Sequence, residues 1–366
     1  MPAPLLWIDT PAALDAQLRV WETRPWLALD TEFVREDTYF PVLCLVQVGD
    51  GETAALVDVR ALDPAPLFAL LARPQLLKIF HAAGQDLEIF VQHSGDCPRP
   101  LFDTQLAAAL LGHGEQLGYA ALVQSQLQVQ LDKSLARTDW SRRPLPQNAL
   151  EYAADDVRHL ATIFPMFRDA LAAKGRLGWL EEECRRQTDP VRYRPDPASA
   201  WHTVKGLSRL PAPAQHRAAR LARWREEQAV QRNRPRRWIL DDAAVCRLAE
   251  QPPQTREQLA ATEGVFPKLV ARAGDELLAL LAEPVPDAPP LYDEERLTGE
   301  QKRRIQTLQE RVRALGAQHQ VSPTLIATRG DLETLVREGE RADLPLLRGW
   351  RRELAGEELL RTSAAG

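Results

Sequence analysis

WLALDTEF (26–33) is the stretch on which both the fold and the chemistry turn. It is apolar as far as Leu29 and then carries Asp30 and Glu32, two residues apart. Successive side chains of a strand alternate faces, so both carboxylates point the same way. Two like charges side by side repel, and their burial is costly unless a cation intervenes. A hard divalent ion is one reading of the pair. Two acids at a solvent-exposed strand end is the other.

Outward from this strand, VLCLVQVGD (42–50) and TAALVDV (53–59) read as two more strands, joined at Gly49-Asp50-Gly51 by a hairpin signal. PLFALLARP (66–74) reads as a short helix ended by Pro74, and LLKIFHA (76–82) as a buried strand. QDLEIFVQHS (85–94) and DTQLAAALLG (103–112) have helical periodicity, with Asp103 or Thr104 able to cap the second. Residues 146–175 form one long helical pattern that contains Pro165, which predicts a kink or break there. A strand meander followed by alternating strands and helices indicates an α/β domain with a mixed sheet.

Two further acids matter by position. Asp86 follows the strand 76–82 through a turn, at the carboxyl edge where α/β ligand sites gather. An acid that simply favours a helix N-terminus would look the same. Tyr152 and Asp156, in EYAADDV, are four apart on one helix face, while Asp155 lies about 100° round. A phenol beside a carboxylate can orient a water. A tyrosine packed at a helix–sheet seam beside a surface acid is the bland alternative. Taken together, four carboxylates suit two divalent ions about 3.5–4 Å apart, one activating the attacking water and the other stabilising the leaving 3′ oxygen in an in-line displacement at phosphorus.

Composition allows this and excludes other classes. The chain has 366 residues, 45% of them hydrophobic and 27% charged, enough for two or three ordinary cores. Cys44, Cys97, Cys184 and Cys246 form no CxxC pair, which argues against a zinc ribbon or a disulfide framework. No apolar run approaches the roughly 20 residues of a membrane helix, and the first residues lack a basic region, so a cytoplasmic location is expected. The net charge of −5 conceals an asymmetry: residues 191–240 carry 12 basic and 3 acidic side chains. One basic stretch on an otherwise acidic chain points to a polyanion, or else to a solvated helix face with a charged linker.

After about residue 190 the strand signals stop. The expected organisation is an α/β domain at 1–190, a Pro/Arg-rich linker at 191–204, a helical domain at 205–285, a proline-rich linker at 286–294 and a second helical domain at 295–366. The two helical pieces read as repeats. Each has a charged helix, a polar joint with a proline, a short apolar stretch (Trp238-Ile239-Leu240; Leu325-Ile326-Ala327) and a helix opened by an aspartate (Asp241; Asp331).

The motifs LALDTEFVREDTYFP (27–41), KIFHAAGQDLEIF (78–90) and EYAADDVRHL (151–160) resemble those of the ribonuclease D family, in the DEDD 3′→5′ exonuclease superfamily. LFDTQLAAALLG (101–112) and LDKSLARTDWSRRPL (131–145) resemble the family too. The helical pieces look like the helicase-and-RNase-D C-terminal (HRDC) domains that follow the nuclease in this family. The resemblance implies a ribonuclease-H-like α/β exonuclease domain followed by two small all-α HRDC-like domains. It makes Asp30, Glu32, Asp86 and Asp156 the ligands of two Mg²⁺ or Mn²⁺ ions, and Tyr152 the residue that positions the attacking water. Glu151 stands where the superfamily's other branch has histidine, so the chain falls in the tyrosine branch.

The implied reaction is hydrolysis of RNA from its 3′-hydroxyl end to 5′-mononucleotides, in tRNA 3′-end processing and maturation of small structured RNAs, by a monomer. Phe33, His81, Lys133, Arg137 and Arg143 are further candidates for substrate contact, with core packing or surface charge as the alternative for each. Trp140 either stacks or packs, and Asp103 reads as a cap rather than a ligand. A DNA exonuclease with the same site is the rival reading, and a noncatalytic nucleic-acid adaptor the second. Because all the acids precede residue 160, deletion of 195–366 is expected to spare cleavage of short oligomers.

Overall fold

A computed structural model gives the structure, and it describes residues 3–114, 116–132, 135, 138–285, 287–292 and 297–364. They fall into two units, the first comprising Met1–Val34, Leu43–Tyr193 and Leu297–Gly366, the second Arg35–Val42 and Arg194–Arg296. Among the described residues no helix is long and apolar enough to cross a membrane.

The first unit is built on a six-stranded mixed sheet. Its strands are β1 (Leu5–Ile8), β2 (Trp26–Val34), β3 (Val42–Gly49), β4 (Ala54–Val57), β5 (Leu77–Phe80) and β6 (Leu101–Asp103), in the order β1-β4-β3-β2-β5-β6. β4 runs antiparallel to β3 and parallel to β1, while β2, β5 and β6 run parallel. The β3–β4 hairpin closes where the sequence places it. Asp50 Oδ1 accepts from the backbone N–H of Glu52 and Thr53, and Gly51 takes φ +87°.

Helices cover both faces: α1 (Pro11–Trp21), α2 (Ala65–Leu71), α3 (Gly84–Ser94), α4 (Thr104–Leu111), α5 (Tyr119–Leu127), α6 (Gln147–Ala173) and α7 (Leu177–Gln187). Strand alternation decides which residues meet which face. Leu27 and Leu29 enter the larger core with Leu87 and Phe90 of α3. Ala28 joins the smaller core with Ala149, Ala153, Ala154 and Val157 of α6. Asp30 and Glu32 continue the Ala28 row and so face α6. A Cβ at Gly49 would stand 2.9 Å from the Val157 carbonyl oxygen, so glycine permits the close approach of β3 to α6.

The chain does not break at Pro165: α6 runs on from Gln147 to Ala173. Pro165 has no N–H to give Ala161, but Leu160, Ile163, Phe164, Phe167 and Leu171 are buried on both sides of it. Packing of that stripe outweighs the one lost bond.

The last helical piece shares the core of the first unit. α13 (Gly299–His319), α14 (Pro323–Ile326), α15 (Arg329–Glu338) and the helical turns at 349–364 contribute Ile305, Leu308, Val312, Leu335, Trp350 and Leu359 to it. Arg176 donates to the carbonyls of Leu110 (2.6 Å), Gln320 (3.1 Å) and His319. Glu183 is buried and accepts from the Arg351 guanidinium and from Trp350 Nε1 (2.9 Å). The Trp179 and Trp350 rings stack 4.7 Å apart.

The second unit has its own core around α8 (Ala212–Arg232), α9 (Arg236–Ile239), α10 (Asp242–Glu250), α11 (Arg256–Ala261) and α12 (Pro267–Ala282). The stretch read as a linker is partly ordered into it: residues Pro197–Thr203 form a 3₁₀ segment, and Ala200, Val204 and Trp201 pack on the core. Loop 35–42 also belongs here. Tyr39 and Phe40 donate their backbone N–H to Asn233 Oδ1 at 3.0 Å, and the Tyr39 hydroxyl donates to Glu226, which is paired with Arg236.

The two helical pieces repeat the same local plan. A long helix ends in a left-handed residue, Asn233 (φ +48°) or Gln320 (φ +52°). A proline and a single helical turn follow, then a capped helix. Asp241 caps α10 directly, as read from the sequence. In the second piece the cap is Thr328, and Asp331 closes a capping box from its third position.

Candidate active site

β2 and α6 bring the acids together. Asp30, Glu32 and Asp156 each place one carboxylate oxygen within 4.8 Å of the others. They line a cavity of about 360 Å³ with Thr31, Phe33, His81, Gln85, Tyr119, Thr138, Trp140, Tyr152 and Leu160. Asp86, in the first turn of α3, is not part of that 4.8 Å group and does not line the cavity, though its charge acts on Asp30 and Glu32. It is buried, and its Oδ1 accepts from the Thr31 hydroxyl at 2.5 Å.

Burial and mutual repulsion raise the carboxyl pKa of Asp30, Glu32 and Asp156, and burial raises that of Asp86. Burial, then Asp156 and Asp86, holds Asp30 well above the usual carboxylate range. Burial, then Asp30 and Asp86, pushes Glu32 up to about 9. Burial, then Glu32, raises Asp156 strongly. Burial raises Asp86 to about 7 against the opposing hydrogen bond from Thr31. The cluster therefore cannot carry its full charge without a cation, and its donors are all hard oxygens. That donor set fits divalent ions such as Mg²⁺ or Mn²⁺.

Tyr152 lies one turn before Asp156 and lines the same cavity, its ring 6.3 Å from that of buried Trp140. Burial, then Asp156 and Glu32, raises its hydroxyl pKa, so the phenol keeps its proton and acts as a hydrogen-bond donor. Asp155 faces elsewhere and pairs with Arg158 at 2.8 Å.

The substrate-contact candidates separate. Phe33 and His81 line the cavity. His81 Nδ1 is 3.0 Å from Thr104 Oγ1, and burial lowers its pKa, which favours the neutral ring. Lys133 and Arg137 lie outside the described residues. Arg143 is not brought to the site. Its guanidinium makes two bonds to Asp58 (2.6 and 2.7 Å) and donates to the carbonyls of Cys44, Trp140 and Arg142. All five of its N–H donors are thus occupied, and none remains for a phosphate.

Asp103 is a cap, as read: it accepts from Gln105 N and also from Ala82 N and Ala83 N at 3.0 Å. The latter two bonds hold the β5–α3 turn, where Ala82 takes φ +56°, and so help place Asp86.

Two contributors have no sequence signal. Thr31 sits between the paired acids on the opposite strand face and fixes Asp86. Tyr119 donates its hydroxyl to the backbone carbonyl of Asp156, bracing the turn of α6 that carries the acid. Its partner is main chain, which no side-chain pattern betrays.

A mixed α/β sheet with this acid cluster and tyrosine defines a 3′→5′ exonuclease, and the family model described as 3′-5′ exonuclease matches residues 5–172. The HRDC domain model matches residues 214–281. The chain is 39% identical to ribonuclease D of Granulibacter bethesdensis over 98% of this chain and 92% of the relative. It is 40% identical to ribonuclease D of Pseudomonas paraeruginosa over 97% and 96%. The crystal structure of Escherichia coli RNase D, described as an exoribonuclease involved in structured RNA processing, superposes with a TM-score of 0.87 at 30% identity over 99% of both chains. The chain belongs to the ribonuclease D family. Enzymes of this family work with two divalent metal ions, in agreement with the acidic donor set.

Proposed function

We propose that the protein removes 5′-mononucleotides from the 3′-hydroxyl end of RNA, in tRNA 3′-end processing and the maturation of small structured RNAs. The convergence of Asp30, Glu32 and Asp156 beside Tyr152 in one cavity carries this reading. Asp30, Glu32, Asp86 and Asp156 hold the metal ions. Bound there, such ions would supply Lewis acidity for activating water and positive charge to offset the negative charge developing on the leaving oxygen.

The chain's own residues do the rest. Tyr152, protonated, donates to the attacking water and fixes its direction. Thr31 and Tyr119 hold Asp86 and the Asp156 turn in register. Phe33 and the neutral His81 contact the terminal nucleotide. A cavity of about 360 Å³ suits a single-stranded end and not a duplex. The basic run 191–240 guides the RNA backbone without reading bases. The protein acts as a monomer in the cytoplasm.

The substrate class is tested by rates on a labelled RNA and on a DNA of the same sequence. Digestion of the RNA is expected to be faster by about four orders of magnitude, the scale on which a site built for a hydroxyl rejects its absence. Equal or faster digestion of the DNA would move the activity to repair.

A further inference from the structure

The second unit carries an aromatic residue that its fold does not use. Trp238 is 51% exposed, on the one-turn helix α9, and takes no part in the unit's core, whereas the next residue, Ile239, is buried in it. Its ring is held in place. The Arg234 guanidinium lies 5.8 Å from the ring centroid and is itself anchored by two 2.9 Å bonds to the carbonyl and carboxylate of Asp37. Arg237, beside it, is exposed and has no acid partner among the described residues. The stretch 191–240 that carries Trp238 has 12 Lys/Arg against 3 Asp/Glu, of which Arg225 pairs with Asp242 and Arg236 with Glu226.

We propose that Trp238, preset by Arg234 and flanked by Arg237, is a stacking site for an unpaired base of RNA. The chemistry is that of single-strand platforms: any base offers a flat π face, an indole ring is the largest such face a protein has, and adjacent arginines meet the phosphates. A protein partner would need a wider apolar patch than one ring set among cations. The site rests on the RNA reading above and extends it, because it lies on the HRDC-like unit and not on the acid cluster.

The test is fluorescence anisotropy of a labelled, structured RNA with single-stranded ends, titrated with full-length protein over a range of salt. Trp238→Ala is expected to weaken binding about 10-fold with no change in salt slope, because stacking releases no counterions. Trp238→Phe is expected to retain most of the affinity. Arg237→Ala is expected to reduce the salt slope by about one. The melting temperature should be unchanged in all three, since Trp238 takes no part in the unit's core. Wild-type affinity in Trp238→Ala would overturn the proposal, as would a Trp238→Phe variant as weak as the alanine one. Failure of the wild-type enzyme to cleave a short RNA oligomer would instead count against the functional reading, so the two failures are distinct.

Discussion

Asp156→Asn is expected to lower turnover by about three orders of magnitude or more while RNA still binds, because several kcal/mol of transition-state stabilisation depend on the ions this carboxylate holds. The substitution keeps the shape of the side chain and removes one anionic ligand. It leaves the Tyr119 bond intact, since that bond is to the main-chain carbonyl. It also removes one charge from three crowded carboxylates within 4.8 Å. The metal-free variant should therefore melt at the wild-type temperature or above it. The sign follows from the raised carboxyls: the folded metal-free protein binds protons more tightly than the unfolded chain, so it loses stability as pH rises from the unfolded carboxyl range towards about 9, the value for Glu32. Removing a member of the cluster relieves part of that loss. Rates, RNA affinity and a melt in EDTA together check the account, and ordinary hydrolysis by the variant would refute the metal role of Asp156.

The second large effect concerns the C-terminal piece. A chain ending at Tyr193 is expected not to fold into an active nuclease, although every acid of the site lies before residue 160. The cut takes away α13, α14 and α15, whose side chains share the nuclease core. Trp179 loses its stack with Trp350, Arg176 loses the His319 and Gln320 carbonyls, and Glu183 loses both its donors. A fully buried large apolar side chain is worth about 1.5–3 kcal/mol, and a whole domain only about 5–15. Arg351→Met asks the same question within the intact chain. It takes the two-pronged partner from buried Glu183 and leaves as its cation only Arg186, 3.6 Å away, at a cost of about 1.5–3 kcal/mol, or roughly 3–10 °C in Tm. A truncated protein that cleaves short oligomers at the wild-type rate would show that the C-terminal piece is dispensable after all.

The chemistry was more legible in the sequence than the architecture. Strand alternation is rigid, so Asp30 and Glu32 had to share a face, and the Ala28 row shows that face turned to α6. The four-residue helical spacing likewise put Tyr152 with Asp156. Short-range patterns missed what packing decides. β1 and β6 have four and three residues, too few for an alternation to register, and β6 runs straight into a helix. Ala82 adopts φ +56°, a conformation no alanine advertises, because Asp103 holds the neighbouring N–H groups. Arg143 looked like a phosphate ligand because a sequence shows charge and not partners. The joining of loop 35–42 to one unit and of 297–366 to the other depends on contacts across the chain, which local periodicity does not encode.

On the function proposed above, these acids and Tyr152 run a metal-dependent attack on the last phosphodiester of RNA. It is tested most directly by digesting a 5′-labelled tRNA with a 3′ trailer, in Mg²⁺ or in EDTA, with the wild-type enzyme and Tyr152→Ala. The expected product is a ladder that shortens from the 3′ end in Mg²⁺, vanishes in EDTA and is lost in the variant. A ladder that persists in EDTA, or one made equally well without Tyr152, would contradict it.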